Sequence, residues 1–388
     1  MSRNISELEQ IALARLRHIE DPEIRVPITD LGMVSAVTAA VDDTSGQAPA
    51  SEEVPAHHLR AEILLTTPGC PMQDTLRDQV FNALVSLPGV SSVEVALRPM
   101  DSTQRRKLVD SLRSRHSSSL TAASAGDPHQ PLVLTVASGK GGVGKSTVTA
   151  NLATALSKCG YRVGLIDADI HGFSIPRLLS ITTRPTRLEE MILPPVAYGV
   201  KTISIGMFLD TDQPVAWRGP MLHRALEQFI GDVHWGQLDV LLVDLPPGTG
   251  DIAISVAQLL PQAQLLVVTT PQYAAAHIAA RAGELATKTH QAVAGVIENM
   301  GPMTLPDGTV MDVFGAGGGK QVAQHLAEHL HDPVELLGTI PLDPILRTDA
   351  DQGQPTIISH PDSPSGKSLQ IISERLVETA QIGSPMMS

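Results

Sequence analysis

Cysteine is almost absent from this sequence: Cys70 and Cys159 are the only two in 388 residues. Two thiols cannot build a disulfide framework, and free thiols suit a reducing compartment. Aromatic residues are scarce too, at 3%, so the cores must be packed with Val, Ile, Leu and Ala, as buried parallel strands and their covering helices are. No apolar run approaches the roughly 20 residues of a membrane span. The N-terminal segment carries Glu7 and Glu9 in place of a basic stretch followed by an apolar one. Together these absences point to a cytoplasmic protein with no membrane partner. Positive charge is also in deficit, with 28 Lys and Arg against 41 Asp and Glu for a net charge of -13, which disfavours nucleic acid or an anionic lipid surface as a partner.

What is present suits a folded chain. Hydrophobic residues at 42% and charged residues at 18% exclude wholesale disorder, and the length exceeds one ordinary core, so a large and a small domain are expected. Apolar positions at helical spacing over 6–19 and 72–87, with strand-like patterns over 33–41, 59–66 and 90–97, predict a small α+β domain at 1–100. Inside it, Asp42 to Ala56 is rich in Asp, Ser, Gly and Pro and reads as a long hairpin loop. A charged segment and then the Ser-, Ala-, Gly- and Pro-rich stretch Ser117 to Pro131 predict a linker over 101–131. With Asp101 and Asp110 close by, Arg105, Arg106 and Lys107 read as a solvated helix face rather than a nucleic-acid contact. Over 132–380, the apolar segments Leu132–Ala137, Arg162–Ile166, Val200–Ile205, Val240–Val243, Gln264–Val268, Ala292–Ile297 and Val334–Thr339 alternate with helical ones. This predicts an α/β domain with a mostly parallel sheet covered by helices on both faces.

Between the first of those strands and a helix lies Ser138-Gly139-Lys140-Gly141-Gly142-Val143-Gly144-Lys145-Ser146-Thr147, which satisfies G-x-x-x-x-G-K-[ST] in the context that the motif needs. Glycines let backbone N–H groups turn inward on phosphates, and the helix start adds partial positive charge. The expected ligand is ATP, held along Gly139 to Thr147, with Lys145 on the β- and γ-phosphates and the Ser146 hydroxyl on Mg²⁺. Leu241-Leu242-Val243-Asp244 is an apolar strand ending in an acid, a Walker B arrangement, so Asp244 is expected to hold Mg²⁺ through water. Asp167 and Asp169 follow another strand. Asp169 is the candidate for orienting the attacking water, although aspartates at a strand's end also serve as helix caps. Asn299 carries an amide that can pair with an adenine edge or cap a turn.

Lys140 sets the loop apart: K-G-G-x-G-K-[ST] resembles the deviant Walker A group, whose members dimerise and send that lysine to the partner's nucleotide. The resemblance implies a homodimer, and phosphoryl transfer gives the physical reason, since it needs extra positive charge in the transition state. The loop, Asp167-Ala-Asp-Ile-His-Gly172, Asp244-Leu-Pro-Pro-Gly-Thr-Gly-Asp251, Glu298-Asn-Met300 and Phe314-Gly-Ala-Gly-Gly-Gly319 together resemble the Mrp/ApbC family of iron-sulfur cluster carrier ATPases. Asp21-Pro22-Glu23, Thr29-Asp30-Leu31-Gly32 and Thr67-Pro-Gly-Cys-Pro-Met72 resemble the small domain of iron-sulfur assembly proteins fused to many members. The implied function is ATP hydrolysis in support of cluster assembly or transfer to apo-protein clients.

One departure stands out. The family's Cys-x-x-Cys pair, which bridges a cluster between two subunits, lies between the Glu-Asn-Met and Phe-Gly segments, and here Gly301 to Val313 contains no cysteine. Thr304, Asp307 and Asp312 in that stretch are hard oxygen donors that suit cluster iron poorly. Cys70, in a Pro-Gly-Cys-Pro turn leading into a helix, is the remaining candidate ligand, since a helix N-terminus favours thiolate; a small packed residue is the alternative there. A nucleotide-gated scaffold with negligible turnover is one alternative function, and the runner-up is a positioning ATPase resembling the MinD and ParA groups. It would need a basic amphipathic helix or a basic surface, whereas Ser368 to Thr379 carries Glu374 and Glu378 against Arg375.

Overall fold

The computed structural model describes residues 5–41, 57–67, 72–115, 130–169, 172–209, 219–248, 250–272 and 275–380. The Asp42–Ala56 loop, most of the Ser117–Pro131 stretch and Cys70 lie outside them. The chain divides into two compact units, one of Met1–Ser117 with Thr186–Leu193, the other of Ser118–Pro185 with Pro194–Ser388.

The small unit runs α1 (Ile5–Leu16), β1 (Val34–Val41), β2 (His57–Leu65), α2 (Gln73–Val85), β3 (Val90–Pro99) and α3 (Ser102–Arg115). Leu8, Ala12 and Leu16 of α1 and Leu76, Val80 and Leu84 of α2 recur every fourth residue and are buried, so each helix gives one stripe to the sheet. β1 and β2 pair antiparallel, while β2 and β3 pair parallel, with α2 as the crossover that a parallel connection requires. Two findings extend the small domain beyond the expected residue 100. First, the charged segment is α3, and its Leu108, Val109 and Leu112 are buried in this core. Second, a hairpin drawn from far downstream, β6 (Thr186–Leu188) and β7 (Met191–Leu193), completes that core with Leu188, Met191 and Leu193. Its polar groups are tied as well. Thr186 donates to Glu23 Oε1 at 2.8 Å, Arg105 Nε lies 3.0 Å from Glu189 and Arg113 Nη2 lies 3.3 Å from Glu190. Glu23 of the Asp-Pro-Glu segment thus serves as an anchor for the hairpin, and Asp21 closes the turn by accepting from the N–H groups of Glu23 and Ile24.

The large unit runs β4 (Leu132–Ala137), α4 (Lys145–Lys158), β5 (Val163–Asp167), α5 (Ile175–Leu178), β8 (Val196–Ala197), β9 (Val200–Ser204), α6 (Gly219–Gly231), β10 (Val240–Asp244), α7 (Asp251–Leu259), β11 (Gln264–Thr269), α8 (Ala275–Thr289), β12 (Val293–Gly301), the short β13 (Met303–Thr304) and β14 (Val310–Met311), α9 (Gly318–Leu330), β15 (Leu336–Pro341), α10 (Pro344–Gln352), α11 (Thr356–Ser359) and α12 (Pro364–Thr379). The sheet order is β15-β12-β11-β4-β10-β5-β9-β8, parallel except for the last pair. All seven predicted strands are present. β4 and β10, at the centre, are almost wholly buried, as strands covered on both faces must be. α4 is buried from Val148 to Leu156, so the helix behind the loop is a core element. Among the described residues no helix is long and apolar enough to cross a membrane.

Candidate nucleotide-binding site

The site forms where β4, β10, β5 and β11 end side by side. Parallel pairing brings Asp244 level with Val136 on one side and Asp167 on the other, so the loops that follow the strands must meet. Ligands bind at such carboxyl edges in open α/β sheets.

The loop between β4 and α4 uses glycine where only glycine fits. Gly142 and Gly144 hold φ of 77° and 78°, a left-handed conformation open to glycine at little cost. A Cβ on Gly144 would also stand 2.3 Å from Asn299 Nδ2. Gly144 is the N-cap of α4 and no side chain caps that helix, which leaves its first N–H groups for an anion. The loop is braced from three directions: Arg281 Nη1 donates to the Gly139 carbonyl at 2.9 Å, Gly248 N to the Ser138 carbonyl at 2.9 Å, and Asn299 Nδ2 to the Val143 carbonyl at 2.9 Å.

Beneath the loop the structure gathers Lys145, Ser146 and Asp244. Lys145 Nζ lies 2.6 Å from Asp244 Oδ1, and Ser146 Oγ donates to Asp244 Oδ2 at 2.6 Å. Thr149, one helical turn beyond Lys145 and not singled out from the sequence, donates to Asp244 Oδ1 at 2.9 Å. Asp167 is the second buried acid, accepting from the N–H groups of Asp169, Ser174 and Ile175 and from Ser204 Oγ, each at 3.2 Å. Burial, and then the charge of Asp244, push its carboxyl up to about 7 from an ordinary 3.8. Two buried carboxylates thus share one buried ammonium, and hydroxyl and carboxylate oxygens crowd one point. A hard divalent cation such as Mg²⁺ suits that donor set and that charge deficit.

Asp169 closes its own turn by accepting from Gly172 N at 3.1 Å, whereas Asp167 is the acid that joins the central cluster. Asn299 is buried and has its amide nitrogen committed to Val143, so it acts as a strut under the loop. Lys140 does not join the cluster: its ammonium donates to Gln272 Oε1, just past β11. Cys159 is exposed at the C-cap of α4, and no group of three or more His, Cys, Asp or Glu arranged to hold a metal occurs among the described residues.

The raised Asp167 pKa has a consequence with a definite sign. The folded, nucleotide-free protein holds this proton more tightly than the unfolded chain does. Its contribution to stability is therefore full below 3.8 and is lost as pH rises to about 7. Melting temperature measured without nucleotide or metal should fall more from pH 5 to pH 8 in wild type than in Asp167→Asn; parallel curves would place the titration elsewhere.

Fold and site together define a P-loop nucleotide hydrolase with a second lysine in its phosphate loop. The family model described as ParA, NUBPL iron-transfer P-loop NTPase, matches residues 131–377, and the chain belongs to that family. The Mycobacterium bovis protein named iron-sulfur cluster carrier protein is 51% identical over 372 residues, spanning 93% of this chain and 91% of its own. The Bacillus subtilis protein of the same name is 41% identical over 320 residues, 82% of this chain and 87% of its own. Among solved structures, a nucleotide-binding protein from Archaeoglobus fulgidus in complex with ADP superposes with a TM-score of 0.50 at 36% identity, covering 57% of this chain and 86% of that one.

Proposed function

We propose that this protein is a cytoplasmic, ATP-hydrolysing homodimer that supports iron-sulfur cluster assembly or delivery to apo-protein clients. The observation that carries the reading is the separation of the two loop lysines: Lys145 sits in its own acid cluster, while Lys140 in the same loop ends on Gln272. A lysine that takes no part in its own cluster is available to a second copy's nucleotide, where phosphoryl transfer needs added positive charge. Names and lengths of the relatives support the cargo.

In this reading the N–H groups of Gly139 to Thr147 receive the phosphates and Lys145 exchanges Asp244 for phosphate oxygens. Ser146 and Asp244 would hold Mg²⁺, which when bound neutralises charge on the β- and γ-phosphate oxygens. Asp169 would orient the attacking water, and Asn299 would offer its remaining amide oxygen to the adenine edge. The positioning reading gains no support from α12, which buries Leu369, Ile372 and Leu376 in the core.

The cluster is cargo, and its ligands are the test. A bridged cluster needs about four soft ligands, yet Gly301 to Val313 supplies no thiol, and Cys159 caps a helix of the nucleotide unit. A cluster bound here is therefore expected to be labile, to depend on Cys70 together with glutathione or client thiols, and to be indifferent to Cys159→Ser. Anaerobic reconstitution of wild type, Cys70→Ser and Cys159→Ser with iron and sulfide, read by absorption and iron content, decides it. A stable cluster that survives Cys70→Ser defeats the ligand assignment. Transfer to an apo-ferredoxin that ignores ATP in every variant defeats the function.

A further inference from the structure

β11 lies beside β4 in the sheet, with Val267 level with Ala137. The turn after β11, Thr270-Pro271-Gln272, therefore emerges next to the phosphate loop, and Lys140 donates its ammonium hydrogen bond to the Gln272 side-chain oxygen there. The backbone before Gln272 is packed closely against a neighbouring helix start. A Cβ on Gly318 would stand 2.8 Å from the carbonyl oxygens of both Thr270 and Pro271, so the start of α9 is in backbone contact with this turn. That start is fixed in turn by Glu298, which is buried and accepts from Gly319 N at 2.6 Å and from Thr339 Oγ1 at 3.2 Å. Proline restricts the backbone just before Gln272. The acceptor is thus held in place by the fold on one side while the lysine comes from the nucleotide loop on the other.

We propose that Gln272 is a positioning residue that latches Lys140 within its own subunit and releases it when a second copy's nucleotide competes for the ammonium; this rests on the reading of Lys140 as a residue acting in trans. The chemistry of the acceptor supports a latch rather than a permanent tie. An uncharged amide oxygen holds an ammonium through one hydrogen bond, whereas a triphosphate offers it several negative oxygens. A carboxylate at the same position would hold the lysine as an ion pair and compete far better. The latch therefore sets the protein concentration at which nucleotide-loaded copies associate, and keeps Lys140 from wandering over its own loop before they do.

The test exploits two substitutions that a merely structural role would not separate. In the full-length protein loaded with a slowly hydrolysed ATP analogue and Mg²⁺, dimer formation is followed by analytical ultracentrifugation. Gln272→Ala, which frees Lys140, should move the dimer midpoint to at least about tenfold lower protein concentration, and Gln272→Glu should move it in the opposite direction, the size expected for one charge-assisted hydrogen bond lost or strengthened. In a Lys140→Ala background the three proteins should have the same midpoint. Shifts in the same direction for Ala and Glu, or differences that persist without Lys140, overturn the latch. If Lys140→Ala alone leaves the wild-type midpoint and turnover unmoved, the in-trans reading itself is wrong and the latch falls with it; divergent Gln272 variants with an effective Lys140→Ala support both.

Discussion

Lys145→Ala is expected to weaken ATP binding by at least about a hundredfold, the loss of roughly two charge-assisted hydrogen bonds to phosphate, whereas Lys140→Ala keeps the affinity within about threefold and lowers hydrolysis and nucleotide-dependent dimerisation. The difference follows from placement. Lys145 is 6% exposed and 2.6 Å from Asp244, at the start of α4, whose first N–H groups no side chain caps. Its removal also takes from buried Asp167 the charge that lowers its pKa, so that carboxyl should hold its proton to higher pH, and the variant should melt lower above pH 7. Lys140 touches none of these groups. Titration calorimetry with ATP, at protein concentrations below those of dimer formation, reads the affinities, and equal losses in both variants would show that the two lysines share one task.

The second large effect lies far from the nucleotide. Leu188 is fully buried in the small unit's core, although its hairpin lies far beyond α3, the unit's last helix, in sequence and enters the core only through tertiary folding. Leu188→Ala should cost about 2–5 kcal/mol of small-unit stability, and Leu188→Asp more, because an unpaired carboxylate would replace the leucine. Hydrogen exchange over residues 5–115 measures this. Protection of α1 and β2 should fall in both variants, more in Leu188→Asp, while the neighbouring Ile192, only partly buried, should tolerate Ala with a smaller loss. Unchanged exchange in Leu188→Asp would mean that the small unit folds without the hairpin.

The parts legible in the sequence are those written in local chemistry. The seven long strands announce themselves as apolar runs because a parallel strand is covered on both faces, and the phosphate loop is legible because its backbone demands glycine at fixed places. Val196–Ala197 escapes notice because two residues carry no period. The hairpin Thr186–Leu193 escapes for another reason: its apolar residues serve a core assembled from distant sequence, so the local pattern names no partner. In α3, Leu108, Val109 and Leu112 are spaced as one helical face, but the charges around them conceal it. At the site, Thr149 was readable as the next turn after Lys145, whereas Gln272 and Arg281 reach the loop through sheet order, which no motif states. Burial, too, is invisible in the sequence, and it is burial that separates Asp167 from Asp169.

The claim that one nucleotide is served by two copies is tested most directly by mixing Lys145→Ala with Lys140→Ala. The first supplies Lys140 but binds ATP poorly; the second binds ATP but lacks the lysine to send across. Each alone should hydrolyse ATP slowly. The mixture should recover activity at the Lys140→Ala subunit's nucleotide, rising with the amount of Lys145→Ala added, because the mixed dimer contains one complete site. A mixture no more active than the sum of its components would contradict the account and return Lys140 to its own subunit.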